Sequence, residues 1–470
     1  MKRQALALGA LFGCTRPDAA TDAATDLGGA SPDAPDADTA EAAPRPREAR
    51  VERLLGALRG RSLTTLEGIF SVVRLTGCCG SPLGCFLNNP TSPYARMDLP
   101  SATAGPTPTW RLRPDEAVVL VGRTPPPARY YGFTAYLLDR PGTPALEFAS
   151  LGDTRNQLTL GTDPPDSPFG AWTALIFTAD QSTERAVRAA AVEAGLPDGA
   201  VNTVALPEGD PRYGLRLGLD ASRDSLAVLF RYAVPEDPES ASRWFADPGF
   251  TVLRVTPGTE AHTPLPFPPV RPRATEPTER TPGLTAAQAR LRDALVARYR
   301  ARGLQVDDLP VDELTLDPLR CIPSGTACLG DNPDTIYLRS APVQLTRDPT
   351  DFVVAYGLNH RATGRAVYSN AAVYEAPHLQ GLRSVEDPQF PGEATVLLPG
   401  DPEAPGLYAW RFALDCGGAD PHCTTIPEGC QGLEPDDPAF LAWRVYLDPR
   451  TRAGPASGTI LWDGALHVHR

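Results

Sequence analysis

An imidazole at His360, a carboxylate at Asp334 and a phenol at Tyr337 are the residue types from which a hydrolase assembles a general base and its partners. His467 and His469 alternate along the last apolar stretch, so a strand there puts both rings on one face, as a pair of metal ligands would sit; a metal centre needs a third ligand. Cys416-x6-Cys423-x6-Cys430, with His422 among them, offers nitrogen and sulfur ligands at a spacing unlike the usual zinc patterns. The expectation is therefore no metal and no cofactor. Lys2 is the only lysine, which rules out a Schiff-base lysine, a Ser-Lys dyad and a Walker-type phosphate loop in the folded part. No histidine precedes His262. There is no Gly-x-Ser-x-Gly elbow and no Gly-x-Gly-x-x-Gly loop, and nothing pairs a nucleophile with a base.

The elements that must hold these residues come in two sets. Cys78, Cys85, Asn89, Pro90 and Tyr94 recur as Cys321, Cys328, Asn332, Pro333 and Tyr337, each displaced by 243 positions. The order continues beyond them: Val118-Val119 and Gly122 match Val353-Val354 and Gly357, Ser150 matches Ser384, Trp172 matches Trp410, and Arg231 matches Arg444. So long a period is a tandem pair of domains rather than a solenoid. Apolar runs such as Ala117 to Val121, Thr173 to Phe177, Leu226 to Phe230 and Thr251 to Val255 are short and bounded by turns, as in the strands of a sandwich. The expected fold is mainly β with a few helices (α+β), a tandem duplication of one β-sandwich or jelly-roll-like domain.

The expected boundaries follow. Residues 51–256 form copy one, with an inserted helix near 182–195 capped by Asp180 or Ser182 and ended by Gly195. Residues 257–284 form a Pro-rich, semi-extended linker. Residues 285–470 form a helix plus copy two; Thr285 and Gln288 read as a capping box, with Leu291, Leu295 and Tyr299 on one face. Residues 51–58 read as the shorter counterpart of that helix. Copy two lacks the inserted helix and has a loop bounded by Cys416 and Cys423 in its place.

Charge and cysteine content suggest a compartment. The net charge of −13 leaves no basic footprint for nucleic acid. Residues 1–13 read as a lipoprotein signal peptide, with Lys2 and Arg3 before a short apolar run, and Leu11-Phe12-Gly13-Cys14 as a lipobox that would lipidate Cys14 with palmitate. Residues 14–50, rich in Ala, Asp and Pro, read as a disordered tether. The predicted location is the bacterial cell envelope, lipid-anchored on the exported side, the membrane reached through the anchor alone. Exported cysteines pair. The expected disulfides are Cys78–Cys85 and Cys321–Cys328; the other four cysteines allow three pairings, of which Cys416–Cys423, closing the loop in place of the helix, with Cys79–Cys430 across the copies is preferred.

Asn332-Pro333-Asp334-Thr335-Ile336-Tyr337 resembles the Asn-x-Asp-Thr-x-Tyr signature of a family of bacterial exported proteins of unknown function, which also carries an Arg-Tyr-Tyr element one strand later. Arg129-Tyr130-Tyr131 stands at that place in copy one; copy one lacks the Asp-Thr pair, and copy two lacks the double Tyr. The resemblance implies jelly-roll-like sandwiches. It makes Asn89, Tyr94, Arg129, Tyr131, Asn332, Asp334 and Tyr337 the candidate binding residues, for a carbohydrate, another small ligand or an envelope protein. Read from the residues alone, an Asn before Pro is extended and caps a turn, and the Tyr after it starts a strand. Arg231 and Arg444, at the ends of apolar strands, are expected to pair with Asp153 or Asp387. Two functions compete: a binding or scaffolding module of the cell envelope, and an exported hydrolase working near Asp334, Tyr337 and His360.

Overall fold

The computed structural model describes residues 48–73, 87–101, 104–143, 147–314, 317–429, 432–434 and 436–470. The expected signal peptide, nearly all of the expected tether, and the cysteines of the expected Cys78–Cys85 and Cys79–Cys430 pairs lie outside them. Among the described residues strand outweighs helix by 36% to 18%, so the fold is mainly β.

The first unit opens with helix α1 (Ala49–Gly60) and carries strands β1 (Leu63–Glu67), β2 (Ile69–Val73), β3 (Tyr94–Asp98), β4 (Ala117–Arg123), β5 (Ala128–Asp139), β6 (Ala149–Ser150), β7 (Arg155–Asn156), β8 (Trp172–Thr178), β9 (Val201–Ala205), β10 (Ser225–Pro235) and β11 (Phe250–Pro257), with α2 (Gln181–Glu193) and α3 (Pro238–Ala246) between them. After α4 (Pro282–Arg300), the second unit carries β12 (Gln305–Leu309), β13 (Val311–Glu313), α5 (Pro318–Ser324), β14 (Thr335–Ser340), β15 (Phe352–Leu358), β16 (Tyr368–Glu375), β17 (Gly381–Glu386), α6 (Glu393–Leu397), β18 (Leu407–Ala413), β19 (Cys423–Thr425), β20 (Ala439–Tyr446) and β21 (Gly464–His469).

Each unit is a sandwich of two sheets. The outer sheets run β1-β11-β4-β8-β9 and β12-β21-β15-β18-β19; the inner sheets run β2-β3-β10-β5-β6 and β13-β14-β20-β16-β17, with β7 also on β5. Strand for strand, the two units share one order. Both are antiparallel except at β8–β9 and β18–β19. A parallel neighbour needs a crossover out of the sheet. In unit one α2 supplies it, with the Asp180 carboxylate accepting from Thr183 N at 2.7 Å as N-cap. In unit two the loop 414–422 supplies it, closed by the Cys416–Cys423 disulfide with the Cα atoms 6.0 Å apart.

The registers correct two sequence matches. With Gly122 matched to Gly357, Trp172 (opposite Arg123) corresponds to Leu407 (opposite Leu358), not to Trp410. Ser150 (opposite Tyr136) corresponds to Gly381 (opposite Tyr374), not to Ser384. Apolar composition repeats along a strand, so it fixes which strands match better than it fixes the register.

Alternation along the strands places the cores. On β10, Leu226, Val228, Phe230 and Tyr232 enter the sandwich of unit one, and on β20, Leu441, Trp443 and Val445 enter that of unit two. Leu54 and Leu58 of α1 and Val187 and Ala190 of α2 cover the outer sheet of unit one. Leu291, Leu295 and Tyr299 of α4 do the same in unit two. The remaining faces of the two inner sheets meet each other, with the Tyr130 and Tyr446 rings 4.5 Å apart. The layers therefore run helix, sheet, sheet, sheet, sheet, helix.

The linker expected over 257–284 is extended as far as Thr281 and is packed along both units. Leu265 N donates to Ala179 O at 2.7 Å, Ala456 N to Ala274 O at 2.9 Å and Glu279 N to Thr459 O at 2.8 Å. The helix after them starts earlier than its expected Thr285 cap. Thr281 accepts from Leu284 N at 3.3 Å, and Pro282 takes the first turn, where its fixed φ and missing N–H cost nothing. Gln288, freed from the capping box, donates to Trp462 O at 2.7 Å.

Candidate functional site

The repeated Cys-x6-Cys-x3-Asn-Pro segment is where the two units join. In unit two the segment leaves its own sandwich and lies on the inner sheet of unit one; in unit one Leu87 to Pro90, the part of it among the described residues, lie on the inner sheet of unit two. Gly330 N donates to Phe148 O and Leu87 N to Leu379 O, both at 2.9 Å. On the arm of unit two, the Asp331 carbonyl accepts from Tyr136 Oη at 2.8 Å, and its carboxylate accepts from Ser150 N and Oγ at 2.8 and 2.5 Å. Asn332 Oδ1 accepts from Thr154 at 3.0 Å, and Asp334 accepts from Asn156 at 2.9 Å and from Tyr130 Oη at 3.1 Å. The arm of unit one mirrors this. The Asn88 carbonyl accepts from Tyr374 Oη at 2.6 Å, and its Oδ1 accepts from Gly381 N at 2.7 Å. Asn89 donates to Tyr368 Oη at 2.8 Å and accepts from Asn370 at 3.0 Å. Tyr130 and Tyr136 thus hold the places of Tyr368 and Tyr374.

The exchange is also apolar. Cys321, Ile322 and Cys328 are part of the core of unit one, although they belong to unit two. The Cys321–Cys328 disulfide, with Cα atoms 5.5 Å apart, fixes the arm that carries them. Leu87 packs in return against the cluster of Tyr337, Tyr374 and Phe440 in unit two.

Arg231 and Arg444 do not pair with Asp153 or Asp387. They occupy equivalent positions on β10 and β20 and point away from their own cores into the joint. Arg231 lies over Tyr94 and Tyr136, with centroids at 5.8 and 5.3 Å; Arg444 lies over Tyr337 and Tyr374 at 5.5 and 5.4 Å. Arg444 Nη2 also donates to the carbonyls of Leu87 and Asn88 at 3.0 and 3.1 Å. A guanidinium is weakly hydrated and stacks on aromatic faces, so ring faces and arm carbonyls replace the expected carboxylates. Asp153 binds Arg271 of the linker at 3.1 Å, and Asp387 binds Arg129 at 2.9 Å.

The candidate binding residues are therefore split by the joint. Asn89, Asn332 and Asp334 are buried in it. Tyr131 belongs to the core of unit one, donating to Pro168 O at 2.6 Å. Arg129 is held by Asp387. Tyr94 lies beneath Arg231, and Asn89 N donates to its hydroxyl at 3.0 Å. Tyr337 alone among them lines an open cleft of about 370 Å³. That cleft is shared between the units and the linker: Ser150 and Tyr213 come from unit one, Val270, Arg271 and Arg273 from the linker, and Asp317, Asp331 and Tyr337 from unit two. Burial pushes the carboxyls of Asp331 and Asp334 up to about 7, against the pull of their hydrogen-bond donors. Sequence reasoning missed Tyr213, Arg271 and Arg273. A signal was present in Arg271-Pro272-Arg273, two cations in a stretch with no other reason to be basic.

His360 is 1% exposed and is held from both sides. Its Nδ1 lies 2.9 Å from Glu279 Oε2 and its Nε2 lies 3.2 Å from Asp463 Oδ2. Tyr408 Oη donates to Asp463 at 2.7 Å, and Leu461 N to Glu279 at 3.1 Å. Burial would lower the pKa of the ring, but the two carboxylates outweigh it and raise it to about 10. Near neutral pH both ring nitrogens carry protons and both donate, so the ring has no lone pair with which to take a further proton. None of its contacts is with Asp334 or Tyr337.

No family model matches the chain, and no curated protein matches it. Two solved structures are similar in part. An uncharacterized protein from Burkholderia cenocepacia is 12% identical, with 90% of this chain and 87% of that one covered, at a TM-score of 0.39. The VPA0106 protein from Vibrio parahaemolyticus is 11% identical, with 81% and 90% covered, at a TM-score of 0.35. Likeness at this level assigns no activity.

Proposed function

We propose that this is a binding module of the bacterial cell envelope, anchored by lipid at Cys14, which takes a small polar ligand, such as a carbohydrate, in the cleft between its units. The observation that carries this reading is the cleft itself. Its 370 Å³ lies in the range of small-molecule sites, and it is built jointly by both units and the linker. Tyr213 and Tyr337 offer aromatic walls, and guanidinium and carboxyl groups stand around them, a mixture suited to a ligand rich in hydroxyls. The hydrolase reading leaned on His360 as a base, and an imidazolium clamped between two carboxylates is poorly suited to that work. We further infer that the two units descend from one duplicated domain, a reading supported by their common strand order and reciprocal arms.

Val270, an exposed residue of the cleft, provides the test. A saccharide panel screened by ligand-observed NMR should give binders to the wild type that Val270→Trp no longer holds, with the melting temperature unchanged. Equal binding by the variant would place the ligand elsewhere, and a panel without binders would remove the carbohydrate class. The anchor has its own test: radiolabelled palmitate should enter the wild type but not Cys14→Ser, and equal labelling would refute it.

A further inference from the structure

We propose that His467, His469, Asp307 and Asp351 form a binding site for a divalent transition metal ion, zinc above all, at the rim of the outer sheet of unit two. His467 and His469 stand on one face of β21 with their rings stacked, centroids 4.6 Å apart. Asp307 comes from β12 on one side of that strand and Asp351 from the entry to β15 on the other. One ligand atom each from Asp307, His467 and His469 lie within 4.8 Å of one another. His469 Nε2 is 2.9 Å from Asp307 Oδ2, and His467 Nε2 is 2.9 Å from Asp351 Oδ1. Ligand atoms about 2.0–2.2 Å from a common tetrahedral zinc ion stand roughly 3.3–3.6 Å apart, so each pair need open by only about half an ångström to hold one ion between them.

Two features beyond the cluster point the same way. First, the other ends of the ligands are held. His469 Nδ1 lies 2.9 Å from Arg470 O, the contact that fixes the Nδ1–H tautomer and turns Nε2 toward the carboxylates. The second oxygen of Asp351 accepts from Thr346 N and Oγ1 at 2.9 and 2.7 Å, which orients the first. Second, unit one shows what a closed version of the same place looks like. Val118 faces Arg254 across the sheet as Val353 faces His467. There Arg254 grips Glu116 at 2.6 and 3.1 Å, and Thr256 donates to the same carboxylate at 2.6 Å. A fixed guanidinium neutralises that acid. Unit two sets imidazoles in the places of Arg254 and Thr256, and Asp307 adds a further acid. Nitrogen and carboxylate oxygen ligands together are the set that zinc, nickel and copper prefer. His467 and Asp351 are mostly buried while Asp307 is open to solvent, so an ion has a path in.

The test is calorimetric titration of the full chain, freed of metal by chelation, with zinc chloride, supported by the visible spectrum of added cobalt. The wild type should take up about one ion per chain, and Asp307→Asn and His469→Gln should each weaken it by at least the roughly 10- to 100-fold that loss of an outer-shell partner costs. The pair His467→Arg with His469→Thr, which copies the arrangement of unit one, should stay folded by circular dichroism and bind no metal. A wild type that takes up no zinc, or a folded pair variant that takes up as much as the wild type, overturns the proposal.

Discussion

Single residues carry the joint. Asn89 and Asn332 each supply both faces of an amide to the opposite unit, and each is 1% exposed. Removing one leaves buried hydroxyl or amide groups without partners, at a cost of about 1–3 kcal/mol. Asn89→Ala and Asn332→Ala should therefore lower unfolding stability by similar amounts in urea titrations; a loss from only one of them would mean the arms are not equivalent. His360 is a different kind of lock. His360→Leu would strand Glu279 and Asp463 without their cation, at a cost of about 3–5 kcal/mol. The sign of its pH dependence follows from a folded pKa raised to about 10. The stabilisation is complete below the unfolded value near 6.5 and fades as pH rises from there through the folded value. Melting temperature should fall across that window in the wild type and fall less in the variant.

At the scale of elements, much was legible in the sequence and the rest was hidden for a physical reason. The helix over Gln181–Glu193 announces itself through Asp180 before it and Gly195 after it. The Cys416–Cys423 loop announces itself as the replacement for that helix, and the registers show both bridging the same pair of neighbouring strands. The repeat marks Cys321, Asn332 and Tyr337 as special. It cannot say which unit they touch, because a local pattern carries no information on whether a segment packs on its own sheet or on another. One clue was readable. Tyr130, Tyr136 and Arg231 alternate with core residues where a solvated face would carry ordinary charged side chains, so the second face of the strand had to be covered. Arg231 and Arg444 were expected to find carboxylates because a buried charge must be compensated; the sequence did not show the tyrosine rings that the opposing layers bring over them.

The whole molecule is two sandwiches that each lend the other part of a core. Ile322 and the Cys321–Cys328 disulfide complete unit one from unit two, the linker runs along both, and the proposed ligand cleft exists only where the units meet. Such units should not melt independently. Differential scanning calorimetry of the full chain tests this most directly. The account predicts a single transition whose calorimetric and van't Hoff enthalpies agree. Two resolved transitions, one for each sandwich, would contradict it.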